Sequence, residues 1–225
     1  MYDMLSVIIP CDNRWTLLEK TMEAYHRLHD SDTIARTEFI VITRAKVGKP
    51  KMIDRLIPYS FDSKECNPAM ALNIGLKEAK NVNVVITCPE VMPTTPVLEQ
   101  FSHYAGSNVL AQVFEDGSPL ISTTHRREFP GLYFLAMYNK IEIINRLNGW
   151  DEDFMAGTGW EDTDFGERFK RAGMCYSIKD DIQAIHQKHE RNSNPFTSVN
   201  QSIFERNNSL NSIKAKNGFV KVPNE

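Results

Sequence analysis

The first half of the chain alternates short apolar runs with segments whose apolar residues recur at helical spacing. The runs LSVIIP (5–10), EFIVIT (38–43) and VNVVIT (82–87) are rich in β-branched residues, which predicts buried strands. Between them, the spacing predicts helices over 15–28 and 67–81, the second with Leu72 and Leu76 on its inward face. In the later helix that ends at 172, the same spacing places Phe165 on the face toward the core. Strands that alternate with helices indicate an α/β domain with a mainly parallel central sheet flanked by helices.

Polar segments follow the three predicted strands. PCDNR (10–14), TRA (43–45) and CPEV (88–91) begin where the apolar runs end. Ligands of open α/β sheets bind at the carboxyl ends of the strands, near the point where the strand order reverses. We therefore expect these segments to lie along one ligand-binding edge of the sheet.

The second half of the chain is less regular. The segment 131–154 predicts a strand, a helix from about 140 to 147 and a loop. A helix over 164–172 follows, and then short strands in CYSIKDDIQAIHQKH (175–189). From residue 190 onward the chain is polar and rich in asparagine, so we predict a C-terminal tail or lid over 190–225.

Composition narrows the classes of function. The 225 residues are 41% hydrophobic and 24% charged with a formal net charge of −3, so no basic excess indicates a nucleic-acid or membrane-surface partner. The N-terminus lacks the features of a signal peptide, and no apolar run approaches the roughly 20 residues of a membrane span. Four widely spaced cysteines without a CxxC pair favour a reduced, cytoplasmic protein.

The stretch GWEDTDFGERFKRAG (159–173) contains more acids than its helix requires. If the helix starts near Asp164, then Asp164 and Glu167 form a capping box, and one carboxylate suffices for the cap. Glu161 and Asp162 are then left over. They either add to the favourable charge at the helix entrance, at about 0.3–1 kcal/mol each, or they take part in chemistry.

Glu90, His186 and His189 follow predicted strands and together suggest a metal site. A divalent cation that bridges a diphosphate needs few protein ligands, because substrate oxygens and water supply the rest. One carboxylate and one imidazole suffice, and manganese accepts a nitrogen ligand better than magnesium. The sequence thus predicts a site for Mn²⁺ or Mg²⁺, although each histidine taken singly is also consistent with a surface or packing role.

From about Leu5 to His189, the chain resembles the GT-A glycosyltransferases of the family 2 type. The likeness is carried by SVIIPCDNR, by NPAMALNIGLKEAKNVNVVITCPEV, by the segment 131–173 with its galactosyltransferase-type WED, and by IHQKH. The resemblance implies a single Rossmann-like GT-A domain over 1–189. Its nucleotide-binding half would span 1–95 and its acceptor and catalytic half 96–189.

The resemblance also implies roles for individual residues. Asp162 matches the general base and Glu161 its acidic neighbour, whereas His186 and then His189 match the metal ligand. The positions implied for the nucleotide and the DxD-like motif are Pro10, Asp12, Asn13, Arg14, Asn67, Cys88 and Glu90, the last of which also matches the metal-binding acid. Those implied for the sugar and acceptor are Gly131, Trp150 and Trp160; packing in the core is the alternative for both tryptophans.

The function implied is a metal-dependent inverting glycosyltransferase of the hexosyltransferase type, with a nucleotide-sugar donor, expected to be a UDP-sugar. The acceptor expected first is a glycan hydroxyl, as in polysaccharide biosynthesis. A protein or a modified DNA base is also open as the acceptor, and the oligomeric state is open as well.

The sequence departs from the family at two places: Thr43 and Arg44 replace an acidic pair, and Cys88 replaces the first acid of the DxD-like motif. These departures motivate the alternative of a catalytically degenerate nucleotide- or sugar-binding module. A nucleotidyltransferase is disfavoured because PCDNRWT contains no glycine-rich phosphate loop.

Overall fold

The computed structural model describes residues 4–60, 66–119, 135–154, 159–190 and 197–220. The strands are β1 (Leu5–Pro10), β2 (Thr37–Thr43), β3 (Arg55–Pro58), β4 (Asn83–Thr87), β5 (Val91–Pro93), β6 (Val109–Glu115), β7 (Ser118–Pro119), β8 (Leu135–Asn139) and β9 (Ser177–His186). The helices are α1 (Trp15–Leu28), α2 (Ser31–Arg36), α3 (Pro68–Glu78), α4 (Val97–Ser102), α5 (Lys140–Glu142, continued by the π-helical turn Ile143–Leu147), α6 (Glu161–Arg171) and α7 (Thr197–Ser209).

The strands form one mixed sheet in the order β3-β2-β1-β4-β8-β6-β9-β5, with β7 paired to β6. The four strands from β3 to β4 are parallel, which confirms the parallel arrangement predicted for the first half. Beyond β4, the strand β8 runs antiparallel and begins the second half of the sheet. The strand order reverses around β1, so the predicted polar segments share one edge of the sheet.

Hydrophobic clusters cover both faces of the sheet. One face packs against α1 and α4 through residues such as Leu18 and Phe101. The other packs against α3, α5 and α6, and the predicted inward positions Leu72, Leu76 and Phe165 are buried there. The periodicity of the sequence therefore identified the buried side of these helices correctly.

The helix that carries the surplus acids starts earlier than the sequence predicted. α6 begins at Glu161, and the residue before it, Trp160, has a left-handed backbone with φ of 73°. Asp164 is consequently inside the helix and forms a buried ion pair with Arg168, 2.7 Å away. The predicted capping box of Asp164 and Glu167 is wrong, because a buried arginine pairs with the acid that the sequence had suggested as the cap.

The C-terminal segment packs onto the domain. α7 lies against α6, and its side chains Asn200 and Asn207 are buried. Farther on, the amide of Ala215 donates to the carbonyl of Leu147 at 2.8 Å. The polar composition had suggested a peripheral tail, whereas the described part of this segment, 197–220, is fixed by buried amide side chains.

Each helix in the described ranges is too short or too polar to cross a lipid bilayer.

Candidate functional site

The end of β1 is linked to the end of β2 by an ion pair. Arg44 donates from its backbone amide to Asp12 Oδ1 at 2.9 Å and from Nε to Oδ2 at 2.7 Å. The arginine thus occupies the strand end at which the sequence departs from the acidic pair of the family. Asp12 is half-buried and Asn13 is exposed beside it, both on the predicted ligand edge.

Glu90, His186 and His189 lie together although 96 residues separate the first two in the chain. Each offers one ligand atom, and these atoms all lie within 4.8 Å of one another. Strand pairing brings them together, because Val91 of β5 is in register with His186 of β9. The backbone amide of Gln187 also donates to the carbonyl of Glu90 at 2.8 Å.

The Glu90 carboxylate is buried and only partly satisfied. It is 8% exposed; Arg14 pairs with its Oε1, and His189 Nε2 lies 3.9 Å from the same oxygen. Oε2 has no hydrogen-bond partner among the residues that the structure describes. A buried carboxylate oxygen without a partner is costly, and a cation beside it would remove that cost.

These residues have the chemistry of a divalent-metal site. A carboxylate oxygen with two imidazole nitrogens suits manganese better than magnesium, because imidazole is a better ligand for the softer ion. Burial lowers the pKa of His186, which favours the neutral, metal-binding form of that imidazole. Burial likewise raises the pKa of Cys88 well above its ordinary value. Cys88 is therefore a neutral thiol and adds no charge to the site.

Glu161 and Asp162 form a buried acid pair at the start of α6. They are 9% and 8% exposed, and Glu161 Oε2 accepts a hydrogen bond from the Gly159 amide at 2.5 Å. Burial, followed by the neighbouring charge of Asp162, raises the pKa of Glu161 to about 8. At neutral pH, Glu161 therefore holds its proton.

The loop that precedes this pair and includes Trp150 and Glu152 is hydrogen-bonded to the N-terminal part of α3. Asn73 donates to the Trp150 carbonyl at 2.9 Å, and Asn67 donates to the Glu152 carbonyl at 3.2 Å. α3 connects the carboxyl end of β3 to the amino end of β4, so its N-terminus lies at the ligand edge. Gly149 permits the close approach: its φ is +76°, and a Cβ there would lie 2.4 Å from Asn73 Oδ1.

Cys66 connects the two groups of acids electrostatically. Burial, followed by the charges of Asp12 and Glu161, raises the pKa of its thiol to about 11. The charge of an acid at the end of β1 and that of an acid at the start of α6 therefore both act on this thiol.

Several residues predicted for substrates or nucleotide have other roles. Trp150 is fully buried and stacks on Phe165 with 4.0 Å between ring centroids, so its predicted sugar contact is wrong. Asn67 is also fully buried and caps α3 by accepting from the Met70 amide at 3.0 Å, which contradicts a direct nucleotide contact. Both were assigned to ligands on position alone, before their burial was known.

Trp160 remains partly exposed and packs against Phe204 of α7 with 5.1 Å between ring centroids. Its sugar contact stays a prediction, as do the nucleotide contacts of Pro10, Asn13 and Arg14. Gly131 lies outside the described residues.

A buried polar network that the sequence did not indicate supports the acid pair. Asn207 donates to Asp151 Oδ2 at 3.0 Å and to Asp164 Oδ1 at 3.1 Å. Arg168, 0% exposed, donates to the carbonyls of Leu147 and Gly149, each at 3.0 Å. The asparagine-rich composition of the C-terminal segment was the available signal, but it was interpreted as a sign of solvent exposure.

Glu115 is another residue near the candidate metal site that the sequence analysis missed. Its carboxylate lies 3.1 Å from His186 Nδ1. It ends β6, directly before the turn residues Asp116 and Gly117, which have φ of 51° and 79°. The EDGS stretch contains the Asp-Gly pair typical of such a hairpin turn and could have located the strand end.

No protein-family model matches the chain, and no curated protein is similar to it in sequence. Solved structures are similar in fold. The mannosyltransferase PcManGT from Pyrobaculum calidifontis, in complex with GDP-Man and Mn²⁺, superposes with a TM-score of 0.65 at 16% identity, over 96% of this chain and 66% of that one. The chain has a GT-A-type fold.

S. aureus TarS has the same fold. Its 1–349 form in complex with UDP gives a TM-score of 0.66 at 12% identity, over 92% of this chain and 65% of that one. The other TarS structure gives 0.63 at 12% identity, over 82% of this chain and 37% of that one. The present GT-A-fold chain therefore spans between about one third and two thirds of these proteins.

Proposed function

We propose that this protein is a metal-dependent, inverting glycosyltransferase that moves a sugar from a nucleoside-diphosphate donor to an acceptor hydroxyl. The observation that carries the proposal is the cluster of Glu90, His186 and His189. The buried Glu161–Asp162 pair at the start of α6 supplies the second group of the proposed site. Structural neighbours solved with GDP-Man and Mn²⁺ or with UDP support the donor class. We expect a UDP-sugar donor and a glycan acceptor.

Glu90, His186 and His189 would hold the metal, expected to be Mn²⁺. When bound, the ion supplies positive charge to the diphosphate and so stabilises the charge that develops on the leaving group. Arg14 lies beside Glu90 and can add a second positive charge to the same phosphates.

Asp162 is the base of the proposed reaction. Its carboxylate accepts the proton of the acceptor hydroxyl while that oxygen forms a bond to the anomeric carbon. The bond from this carbon to the diphosphate oxygen breaks, and its electron pair leaves with the diphosphate. A base on the face of the sugar opposite the leaving group gives inversion. Glu161 keeps its proton at neutral pH and so adds no second negative charge beside the proposed base.

Nucleotide binding tests the metal site. We expect UDP with Mn²⁺ to raise the melting temperature of the wild-type protein, because a ligand that binds the native state stabilises it. Glu90→Gln should abolish the metal-dependent part of this increase. Asp116→Asn is the matched control, since Asp116 is an exposed acid paired with Lys188, and it should behave as the wild type. An equal response of Glu90→Gln and the wild type would contradict the metal assignment.

The second candidate is a catalytically degenerate module that binds a nucleotide or sugar. The pairing of Arg14 with Glu90 and the neutral thiol of Cys88 favour it, because both reduce the negative charge available to a metal. A screen of nucleotide-sugars with Mn²⁺ separates the two candidates. Release of nucleoside diphosphate supports the enzyme, and binding without release supports the module.

A further inference from the structure

His186 lies between acids that belong to the two neighbouring strands. On one side, β5 pairs with β9 so that Val91, the residue after Glu90, is in register with His186. On the other side, β6 pairs with β9 so that Phe114 is in register with Ile185, which places Glu115 beside His186. Neither acid is near the histidine in sequence, so the strand order alone creates this arrangement.

The contact on the β6 side involves one particular ring nitrogen. His186 Nδ1 lies 3.1 Å from Glu115 Oε1, and the two side chains are 9% and 25% exposed. The two atoms are at ion-pair distance, and the ring N–H is not aligned on the carboxylate as in a regular hydrogen bond. An ionised carboxylate can only accept a hydrogen bond, so it favours the tautomer in which Nδ1 carries the hydrogen. The lone pair of that tautomer is on Nε2, the other ring nitrogen.

His189 has the same arrangement with a different partner. Its Nδ1 lies 2.8 Å from the carbonyl oxygen of Glu190, which can only accept, and its Nε2 lies 3.9 Å from Glu90 Oε1. In this histidine, an oxygen acceptor at Nδ1 leaves the lone pair on Nε2, the nitrogen that lies near Glu90. Two imidazoles with an acceptor at Nδ1 are the arrangement found around metal-binding histidines.

We propose that Glu115 is a positioning residue that holds His186 through Nδ1 and presents its Nε2 to a metal shared with Glu90 and His189. This inference rests on the metal site of the proposed function and adds to it a residue outside the ligand set. Glu115 does not itself bind the ion; it fixes the tautomer and the orientation of the ligand.

The test measures Mn²⁺ affinity by electron paramagnetic resonance, with and without UDP. Glu115→Ala should weaken Mn²⁺ binding about 10- to 100-fold. Glu115→Gln should recover part of the affinity, because an amide oxygen can still accept from Nδ1. Asp116→Asn, which changes the next residue and removes only an exposed ion pair, should leave the affinity unchanged.

A second measurement uses the metal-free protein and no activity. The ¹⁵N chemical shifts of His186 should report the Nδ1–H tautomer in the wild type and a mixture of tautomers in Glu115→Ala. A purely structural role for Glu115 would change the melting temperature and leave the tautomer as it is. Glu115→Gln keeps the test informative if Glu115→Ala fails to fold.

The outcomes separate this inference from the proposed function. If the wild type binds no Mn²⁺ even with UDP, the proposed metal site is wrong. If the wild type binds Mn²⁺ and both Glu115 variants bind it equally well with an unchanged tautomer, the role of Glu115 is overturned. If Glu115→Ala loses Mn²⁺ binding as completely as His186→Ala does, Glu115 is a direct metal ligand, and the positioning role is also overturned.

Discussion

The two halves of the candidate site are held in place by different forces. Glu90 and His186 are fixed by the backbone hydrogen bonds of paired strands, since each lies at or next to a strand that pairs with the other. The Glu161–Asp162 pair lies after a loop that is fixed by buried side-chain amides. The amides that hold this loop and the start of α6 come from asparagines of three segments: Asn67, Asn73, Asn148, Asn200 and Asn207.

This difference determines how each half should respond to substitution. A backbone ladder survives the loss of one side chain, so changes at the strand ends should alter chemistry more than stability. A buried amide has no substitute, and its loss leaves its partner's polar group unsatisfied at a cost of about 1–3 kcal/mol. We therefore expect substitutions in the network around the acid pair to affect stability and activity together.

The largest effect is expected at Asp162, where the two halves would meet during the reaction. Asp162→Asn removes the proposed base while it preserves the size of the side chain. We expect turnover to fall by about 10²- to 10⁴-fold with little change in donor affinity, measured by steady-state kinetics and by calorimetry with UDP and Mn²⁺. Thr163→Ser is a neighbouring control. Turnover near the wild-type value in Asp162→Asn would assign the base elsewhere.

Asn207 tests the support of the acid pair. Asn207→Ala removes the donor shared by Asp151 and Asp164, two acids that are each 1% exposed. We expect the free energy of unfolding to fall by about 1–3 kcal/mol in urea titrations. Asn208→Ala changes the adjacent, exposed residue and should cost much less. Equal effects of the two variants would show that the network does not hold this region.

The smallest effect concerns the pH dependence of stability. The folded state keeps the Glu161 proton up to about pH 8, whereas the unfolded chain releases it above about 4.5. The folded state binds more protons in this window, so Glu161 makes stability fall as the pH rises through it, by at most about 1.4 kcal/mol per pH unit. Glu161→Gln should flatten this decline in urea titrations at about pH 5.5 and 7.5. An identical slope in variant and wild type would contradict the raised pKa.

The periodicity of the sequence was sufficient for several elements in the first half of the chain. The apolar runs at β1, β2 and β4 and the inward stripe of α3 were found from local spacing, because burial on a sheet depends on a regular repeat. The family resemblance was misleading at Trp150 and Asn67. Both have side chains compatible with either a ligand or the interior, and only the packing of α3 and α6 against the loop showed them to be buried.

The sequence by itself determined the strands β1, β2 and β4, the identity of the acids and histidines, and the surplus of carboxylates at the start of α6, since these follow from local periodicity and from counting chemical groups. The tertiary structure decided which groups meet. Strand pairing brought Glu115 to His186, and the buried asparagines of α7 made an apparently polar tail part of the acid loop's support. Contacts between distant segments depend on strand order and on the partners available to buried polar groups, and neither is recorded in the local spacing of residues.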